Sequence, residues 1–351
     1  MNFGRPLRTL LAATTIGLLT LTGCGSDGDD TSSPRGNDVV DNGPALPAAE
    51  LALVAYSTPQ EAYEKIIAAF RRTSQGRNIT FSQSYGASGD QSRAVESGLP
   101  ADVVAFSLEP DVSRLVKAGI VAPDWNSDQY KGMVTDSVVV IGTRKGNPKN
   151  IKGWADLTRG GVEVITPNPF TSGGARWNVM AAYGAASDVG KNEPAGVDYL
   201  NRLFAHVPVQ DDTARKSLQT FTGGKGDAII AYENEAVFAQ SKGAPLDYVV
   251  PDQTILIENP VAVTANSRHP EAARAFVAFL HSETAQRIFA ENGYRPVVEG
   301  VAEPGEFKAP GKLFTIADFG GWSAVNTKFF DPQGSVMADV ERRLGVSTAK
   351  S

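Results

Sequence analysis

The sequence predicts an α/β fold in two lobes, each built on a mostly parallel sheet flanked by helices. Short apolar runs typical of buried strands alternate with amphipathic segments typical of helices along most of the chain. This alternation favours parallel strands covered on both faces. With 351 residues, 42% of them hydrophobic, the chain exceeds one typical domain and can form two substantial cores.

The N-terminus has the features of an export signal. Arg5 and Arg8 precede a largely apolar stretch at residues 10–21, which is too short for a conventional membrane span. Residues 21–24, Leu-Thr-Gly-Cys, resemble the lipobox of bacterial lipoproteins. That resemblance implies a signal peptide at residues 1–23 and a lipid on the thiol of Cys24. The alternative is a soluble export signal with an incidental cysteine.

A flexible tether is predicted at residues 24–50. Gly, Ser, Asp, Asn and Pro dominate residues 25–50, and such a composition cannot bury enough apolar surface to offset its chain entropy. A lipid anchor followed by a tether places the folded part at the outer face of the cell membrane, in the periplasm or the cell-wall space.

The folded part is predicted to begin with a strand at residues 51–56. Residues 58–61, Thr-Pro-Gln-Glu, have the signature of a capping box at the start of a helix, and Ser88 with Gln91 predicts a second one. Pro260 is expected to interrupt a long strand at residues 255–263. Further strands are predicted at residues 79–83, 101–106, 138–142, 162–165 and 227–232, and further helices at residues 111–118, 177–183, 270–280, 283–292 and 336–344.

The stretch at residues 166–178 organises this pattern. Prolines end its strand, and Ser172, Gly173 and Gly174 open its helix with little side chain to shield the backbone. The first N–H groups of a helix lack intrahelical partners and carry partial positive charge, so they suit an oxyanion. The alternative is an ordinary glycine-rich turn with a serine cap.

Two other strand-to-helix loops, at residues 86–89 and 213–215, have the same small polar character. In α/β sheets, ligands bind beyond the carboxyl ends of the strands, where helices begin. Hydrogen bonds to a charged group contribute about 1.5–3 kcal/mol each, so several helix starts in one cleft would hold a tetrahedral oxyanion. Taken separately, each loop is equally compatible with an ordinary capped helix.

Composition bears on the other classes of function. The net charge is -6 and no basic patch stands out, which argues against a nucleic-acid partner. The three histidines, His206, His269 and His281, have no metal-ligand spacing, so we expect no metal and no cofactor. An anchored hydrolase of sulfate or phosphate esters would need a nucleophile with a base, or a metal cluster, and neither is visible. The sequence contains no repeat or exposed apolar segment that would support a surface interaction protein. We expect the protein to be a monomer.

Several sequence blocks in the same order resemble the sulfate-binding proteins of bacterial ABC transporters. The blocks lie at residues 84–89, 144–149, 164–178, 232–236, 294–296 and 313–322. The resemblance implies a type II periplasmic-binding-protein fold, a hinge of two crossing strands, sulfate in the cleft between the lobes, and an ABC permease as partner. It implies a binding protein and not an enzyme.

Matched position by position, the resemblance implies a set of anion contacts. Ser88, Gly173, Gly174 and Ala214 match backbone donors, and Ser172 matches a hydroxyl donor. Tyr232 stands in place of a tryptophan whose ring N–H reaches the anion. Ser57 stands in place of an aspartate in a loop that presents a further backbone contact.

Three charged residues are expected to support the site. Arg176 and Arg215 are implied to steady the loops through hydrogen bonds. Asp212 stands where the family usually has serine. If its carboxylate points into the cleft, it favours hydrogen phosphate, which has a proton to donate. If it caps the helix instead, sulfate remains the favoured anion. Thiosulfate and molybdate remain alternatives.

The expected lobes are residues 51–140 with 260–305, and residues 141–255. Residues 306–351 are expected to form a C-terminal extension that packs on the lobes.

Overall fold

A mixed sheet runs through the part of the chain that the computed structural model describes, residues 43–348. Its strands are β1 (Ala49–Tyr56), β2 (Ile79–Gly86), β3 (Val103–Ala105), β4 (Met133–Arg144), β5 (Val164–Ile165), β6 (Ala228–Tyr232), β7 (Leu246–Val249), β8 (Gln253–Val263), β9 (Arg295–Pro296) and β10 (Lys312–Phe314). The strand order is β2-β1-β3-β8-β4-β6-β5; β10 also pairs with β8, and β7 and β9 pair with β4.

Helices cover this sheet. They are α1 (Gln60–Phe70), α2 (Ser88–Glu96), α3 (Glu109–Lys117), α4 (Gly173–Ala186), α5 (Glu193–Phe204), α6 (Ala214–Thr222), α7 (Glu233–Ser241), α8 (Pro270–Leu280), α9 (Glu283–Glu291), α10 (Gly321–Phe329) and α11 (Val336–Arg343), with 3₁₀ turns at Trp154–Thr158 and Ile316–Phe319. Among residues 43–348, none of the helices is long and apolar enough to cross a membrane.

The two longest strands, β4 and β8, join two half-sheets. β1 pairs in parallel with both β2 and β3, and β5 pairs in parallel with β6. β4 and β8 are antiparallel to each other; β8 continues antiparallel to β3, and β4 continues antiparallel to β6. The strand pairs that do not involve β4 or β8 are therefore all parallel, in agreement with the mostly parallel sheets predicted for the lobes and with a hinge of two strands.

Pro260 does not interrupt β8 as expected. The strand is continuous from Gln253 to Val263, and the pairing with β4 instead shifts register between Met133 and Thr135, opposite the proline. A proline has no N–H to donate, so it is tolerated where a ladder is irregular.

The hydrophobic core is divided between the two half-sheets. Leu53 and Phe106 lie in clusters around β1 and β3, and Trp177 and Phe221 lie in clusters around β4 and β6. Near the C-terminus, the ring of Trp322 on α10 lies 4.7 Å from that of Trp177, centre to centre. Residues 312–343 therefore add to the second core.

The fold starts earlier than predicted. β1 begins at Ala49, and the side chain of Leu46 is buried in the cluster around α1, so the last residues assigned to the tether belong to the folded part. The predicted signal peptide and Cys24 lie outside the described residues.

Candidate anion-binding site

A small cavity lies where the two half-sheets meet. All seven predicted contact residues line it. Its complete lining is Tyr56, Ser57, Thr58, Gly86, Ala87, Ser88, Ser107, Ser172, Gly173, Gly174, Thr213, Ala214 and Tyr232. The structure thus brings together predicted residues that the sequence places on five separate segments.

Four helices begin at this cavity. Ser88 is the first residue of α2, Gly173 of α4 and Ala214 of α6, and Tyr232 immediately precedes α7. Each helix start presents N–H groups without intrahelical partners and a partial positive charge. Because none of the lining residues has an ionisable carboxyl or cationic side chain, the site offers an anion neutral donors and helix ends.

The glycine pair at the start of α4 is held tightly. Ser172 caps the helix, its Oγ accepting a hydrogen bond from Ala175 N at 3.4 Å, as in the alternative of a turn with a serine cap; its role as a hydroxyl donor to the anion stays a prediction. A Cβ on Gly173 would lie 2.0 Å from Ser107 Oγ, and one on Gly174 would lie 3.4 Å from the Cβ of Ala214. The backbone can therefore reach the cavity at Gly173 only without a side chain.

The predicted capping box at the start of α2 does not form. Ala87 is the N-cap residue and makes no side-chain cap. Ser88 Oγ donates to Asp111 Oδ2 at 2.6 Å, and the side chain of Gln91 bonds with that of Ser84. The buried Asp111 thus fixes the start of α2 without lining the cavity.

The capping box predicted for α1 is also absent. Thr58 Oγ1 lies 3.0 Å from Tyr294 Oη, and no side-chain cap is made at Pro59. The carboxylate of Glu61 instead accepts a hydrogen bond from Arg215 Nη1 at 2.8 Å.

Arg215 connects the two halves of the molecule beside the cavity. It lies on α6, where its Nε and Nη2 donate to the two carboxylate oxygens of the buried Glu235 at 3.1 and 2.9 Å. From the other half it contacts Glu61 and donates to the carbonyl of Thr58 at 2.7 Å. Its guanidinium carbon lies 3.9 Å from the ring centre of Phe238. Arg215 therefore supports the loop that carries Ser57 and does not itself line the cavity.

Arg176 has a comparable supporting position on α4. Its Nε donates to the carbonyl of Pro169 at 3.0 Å, and its Nη1 donates to Asn326 Oδ1 at 2.9 Å. Burial lowers the pKa of Arg176, while the nearby Asp111 opposes that change. These bonds hold the loop before Ser172 against α10.

Asp212 does not face the cavity and does not cap α6. Its side chain is exposed and pairs with Lys216. Thr213 is the cap instead, its Oγ1 accepting from Lys216 N at 3.1 Å. The carboxylate that would have favoured a protonated anion is thus outside the site.

The sequence reasoning missed several lining residues, above all Tyr56 and Ser107. Tyr56 is the last residue of β1, and Ser107 lies two residues after the end of β3. Because parallel strands of one sheet end at the same edge, the strand ends themselves were the available signal.

Metal-binding groups are a separate matter. Within residues 43–348, no group of three or more His, Cys, Asp or Glu side chains could hold a metal ion. His206 Nδ1 bonds with the carbonyl of Val162, and His281 Nε2 with that of Met133, both outside the cavity lining.

Two half-sheets joined by two crossing strands, with helix starts facing one cavity between them, define a solute-binding protein. Comparison with known proteins supports this class. Residues 51–295 match the family model described as bacterial extracellular solute-binding protein. The sulfate-binding protein of Synechococcus elongatus is 40% identical over 334 residues, which are 92% of this chain and 93% of that protein.

Solved structures give the same result. The sulfate-binding protein SubI from Mycobacterium tuberculosis H37Rv is 48% identical, with a TM-score of 0.79 over 81% of this chain and 100% of that one. The periplasmic binding protein P5PA is 18% identical, with a TM-score of 0.63 over 85% of this chain and 99% of its own, and shows the fold alone. The chain belongs to the bacterial extracellular solute-binding proteins and, within them, to the family of the sulfate-binding proteins. The predicted two-lobed periplasmic-binding-protein fold is confirmed.

Proposed function

We propose that this protein is an extracytoplasmic sulfate-binding lipoprotein, which captures sulfate between its lobes and delivers it to an ABC permease for import. The observation that carries the proposal is the cavity into which four helix starts converge, lined by hydroxyls and glycines and by no charged side chain. Such a site neutralises a dianion by hydrogen bonds and helix dipoles.

The lining favours an anion without a proton. Sulfate at neutral pH accepts hydrogen bonds at all four oxygens, whereas hydrogen phosphate has one O–H that needs an acceptor. No carboxylate lines the cavity, and Asp212 points to solvent and pairs with Lys216. The O–H of hydrogen phosphate therefore finds no carboxylate to accept a charge-assisted hydrogen bond, and phosphate is held less favourably than sulfate.

Binding is proposed to close two lobes over the anion. The lobes correspond to residues 51–140 with 260–305 and to residues 141–255, with residues 306–351 as an extension. The separate hydrophobic clusters around the two half-sheets support this division. The long strands β4 and β8 are the proposed hinge, and the contacts of Arg215 with Glu61 and Thr58 stabilise the closed arrangement.

Binding and not catalysis is the proposed activity. The sulfate-binding relatives are binding proteins. The lining offers serine and tyrosine hydroxyls but no histidine or carboxylate that could serve as their base.

Export, lipid attachment and the monomeric state complete the proposal. Residues 1–23 would be removed, Cys24 would carry the lipid, and the residues between Cys24 and the buried Leu46 would form the tether. Mass spectrometry of the mature protein should find a lipid on Cys24, and a Cys24→Ser protein should leave the membrane fraction. Light scattering should give the mass of one chain.

Calorimetric titration of anion-free protein tests the binding function. We expect tight binding of sulfate, with phosphate, thiosulfate and molybdate weaker in competition. Failure of the folded, anion-free protein to bind sulfate would contradict the proposal, and tighter binding of one competitor would reassign the ligand.

A further inference from the structure

Three hydroxyl groups in the cavity lining make no hydrogen bond of ordinary length and angle in the described part of the protein, although Tyr56 Oη lies near Thr58 and Tyr294, and Tyr232 Oη near Ser107 and Asn259. They are Tyr56 Oη, Ser107 Oγ and Tyr232 Oη. The three residues are only 6%, 1% and 1% exposed, respectively. Buried hydroxyls are normally paired, because removing an unpaired one from water is unfavourable. Three unpaired hydroxyls around one small cavity therefore point to a ligand that accepts hydrogen bonds.

The backbone of Ser107 is fixed so that its side chain stays at the cavity. Its N–H donates to Ser88 Oγ at 3.1 Å, and its carbonyl accepts from Trp177 Nε1 at 2.8 Å. Its Oγ lies 2.0 Å from the position that a Cβ on Gly173 would take. The hydroxyl is thus placed directly beside the glycine pair whose N–H groups are expected to hold the anion.

The two tyrosines approach from opposite half-sheets. Tyr56 ends β1, and Tyr232 ends β6 at the start of α7. Burial raises the pKa of both hydroxyls above the ordinary value for tyrosine. Both therefore keep their protons at physiological pH and remain donors.

We infer that Tyr56 and Ser107 are further anion-binding residues, and that with Tyr232 they form a hydroxyl triad donating to the bound oxyanion from both lobes. This inference rests on the proposed function, because it assigns more contacts to the same ligand. It also gives closure a condition: closing the lobes over three buried donors is favourable only when an acceptor lies between them. The triad would thus make closure of the two lobes depend on a bound anion.

Single variants that remove each hydroxyl test the triad. In calorimetric titrations, Tyr56→Phe, Ser107→Ala and Tyr232→Phe should each weaken sulfate binding roughly 10- to 100-fold, as loss of a hydrogen bond to a charged group predicts. Ser335→Ala is the serine control, because Ser335 Oγ is buried and donates to the carbonyl of Phe329, outside the cavity lining. Tyr199→Phe is the tyrosine control, since Tyr199 Oη donates to a carbonyl outside the site. Both controls should keep the sulfate affinity of the unchanged chain.

The affinities of the variants, the controls and the unchanged protein separate the possible outcomes. Unchanged or tighter sulfate binding by folded Tyr56→Phe and Ser107→Ala proteins would overturn the triad while leaving the proposed function intact. A loss of affinity that is equally large in the two controls would show a general loss of structure and would also overturn it. If the unchanged protein binds phosphate, thiosulfate or molybdate and not sulfate, the proposed function fails, but the triad still predicts the same losses with that anion.

Discussion

Gly173 is the residue at which the smallest change should have the largest effect on binding. A methyl group there would lie 2.0 Å from Ser107 Oγ and 3.0 Å from Leu108 Cγ. The first contact is closer than real atoms approach and the second is tight, so the lining hydroxyl of Ser107 or the start of α4, with the N–H groups of Gly173 and Gly174, must move in a Gly173→Ala protein. The effect should therefore fall on the anion site before it falls on the core.

The expected magnitude follows from the two displaced donors. At about 1.5–3 kcal/mol for each hydrogen bond to a charged group, their loss weakens sulfate binding by about 3–6 kcal/mol, or roughly 10²- to 10⁴-fold. Calorimetric titration gives the affinity, and circular dichroism with thermal unfolding checks the fold. Gly160→Ala is the control, because a Cβ at Gly160 would meet no atom within 4 Å.

The result that would refute this reasoning is equally definite. A folded Gly173→Ala protein with unchanged sulfate affinity would show that the glycine pair does not hold the ligand. Equal losses in the Gly160→Ala control would show that the measurement reports general destabilisation.

Three further predictions concern the surroundings of the site. Glu61→Gln removes the partly exposed ion pair with Arg215 between the two halves and should weaken sulfate binding several-fold, by about 1 kcal/mol. The control Asp198→Asn breaks an exposed pair within α5 and should leave sulfate binding unchanged. Equal losses of affinity in the two proteins would contradict a role of the Glu61 pair in closure. Asp212→Asn should leave the preference for sulfate over phosphate unchanged in competition titrations, because Asp212 points to solvent; a shift towards either anion would place its carboxylate near the ligand. Asp136→Asn should make the free energy of unfolding depend less on pH. Burial, and after it the facing Glu258, raise the pKa of Asp136 from 3.8 to about 7, so between these pH values the folded state keeps a proton that the unfolded chain has lost. The free energy of unfolding of the unchanged protein therefore falls from about pH 4 to about pH 7, by at most about 4 kcal/mol before allowance for partial exposure. Urea unfolding at pH 5 and pH 8 measures the change in the free energy of unfolding, and an equal change in the Asp136→Asn protein would contradict the prediction. Burial also raises the pKa of Glu341 to about 7, so Glu341 adds a fall in the same direction in both proteins.

Local sequence signals predicted the starts of the helices well and their side-chain partners less well. Ser172 caps its helix, as the alternative of a serine-capped turn has it, because its partner is three residues away in the chain. The capping boxes predicted at Thr58 and Ser88 fail, because Tyr294 and Asp111 lie near these hydroxyls only in the folded chain. A long-range partner that is already buried competes successfully with a local cap.

The cavity itself could be predicted because it depends on where strands end and helices begin. The seven residues assigned from the sequence all line it. Tyr56 and Ser107 stand at or just after strand ends, which indicates the correct edge of the sheet, but the sequence does not show whether such a hydroxyl is aimed at a ligand or paired in the core. The orientation of Asp212 was also beyond the sequence, since Thr213 and Asp212 are both suitable helix caps and only Thr213 takes that role.

The central claim is that this cavity holds a fully deprotonated oxyanion by neutral donors alone. It is tested most directly by titrating the anion-free protein with sulfate and with phosphate at pH 7 in one calorimetric series. We expect micromolar or tighter binding of sulfate, and phosphate at least roughly tenfold weaker, because its O–H finds no carboxylate acceptor in the lining. Equal or tighter binding of phosphate would contradict the claim.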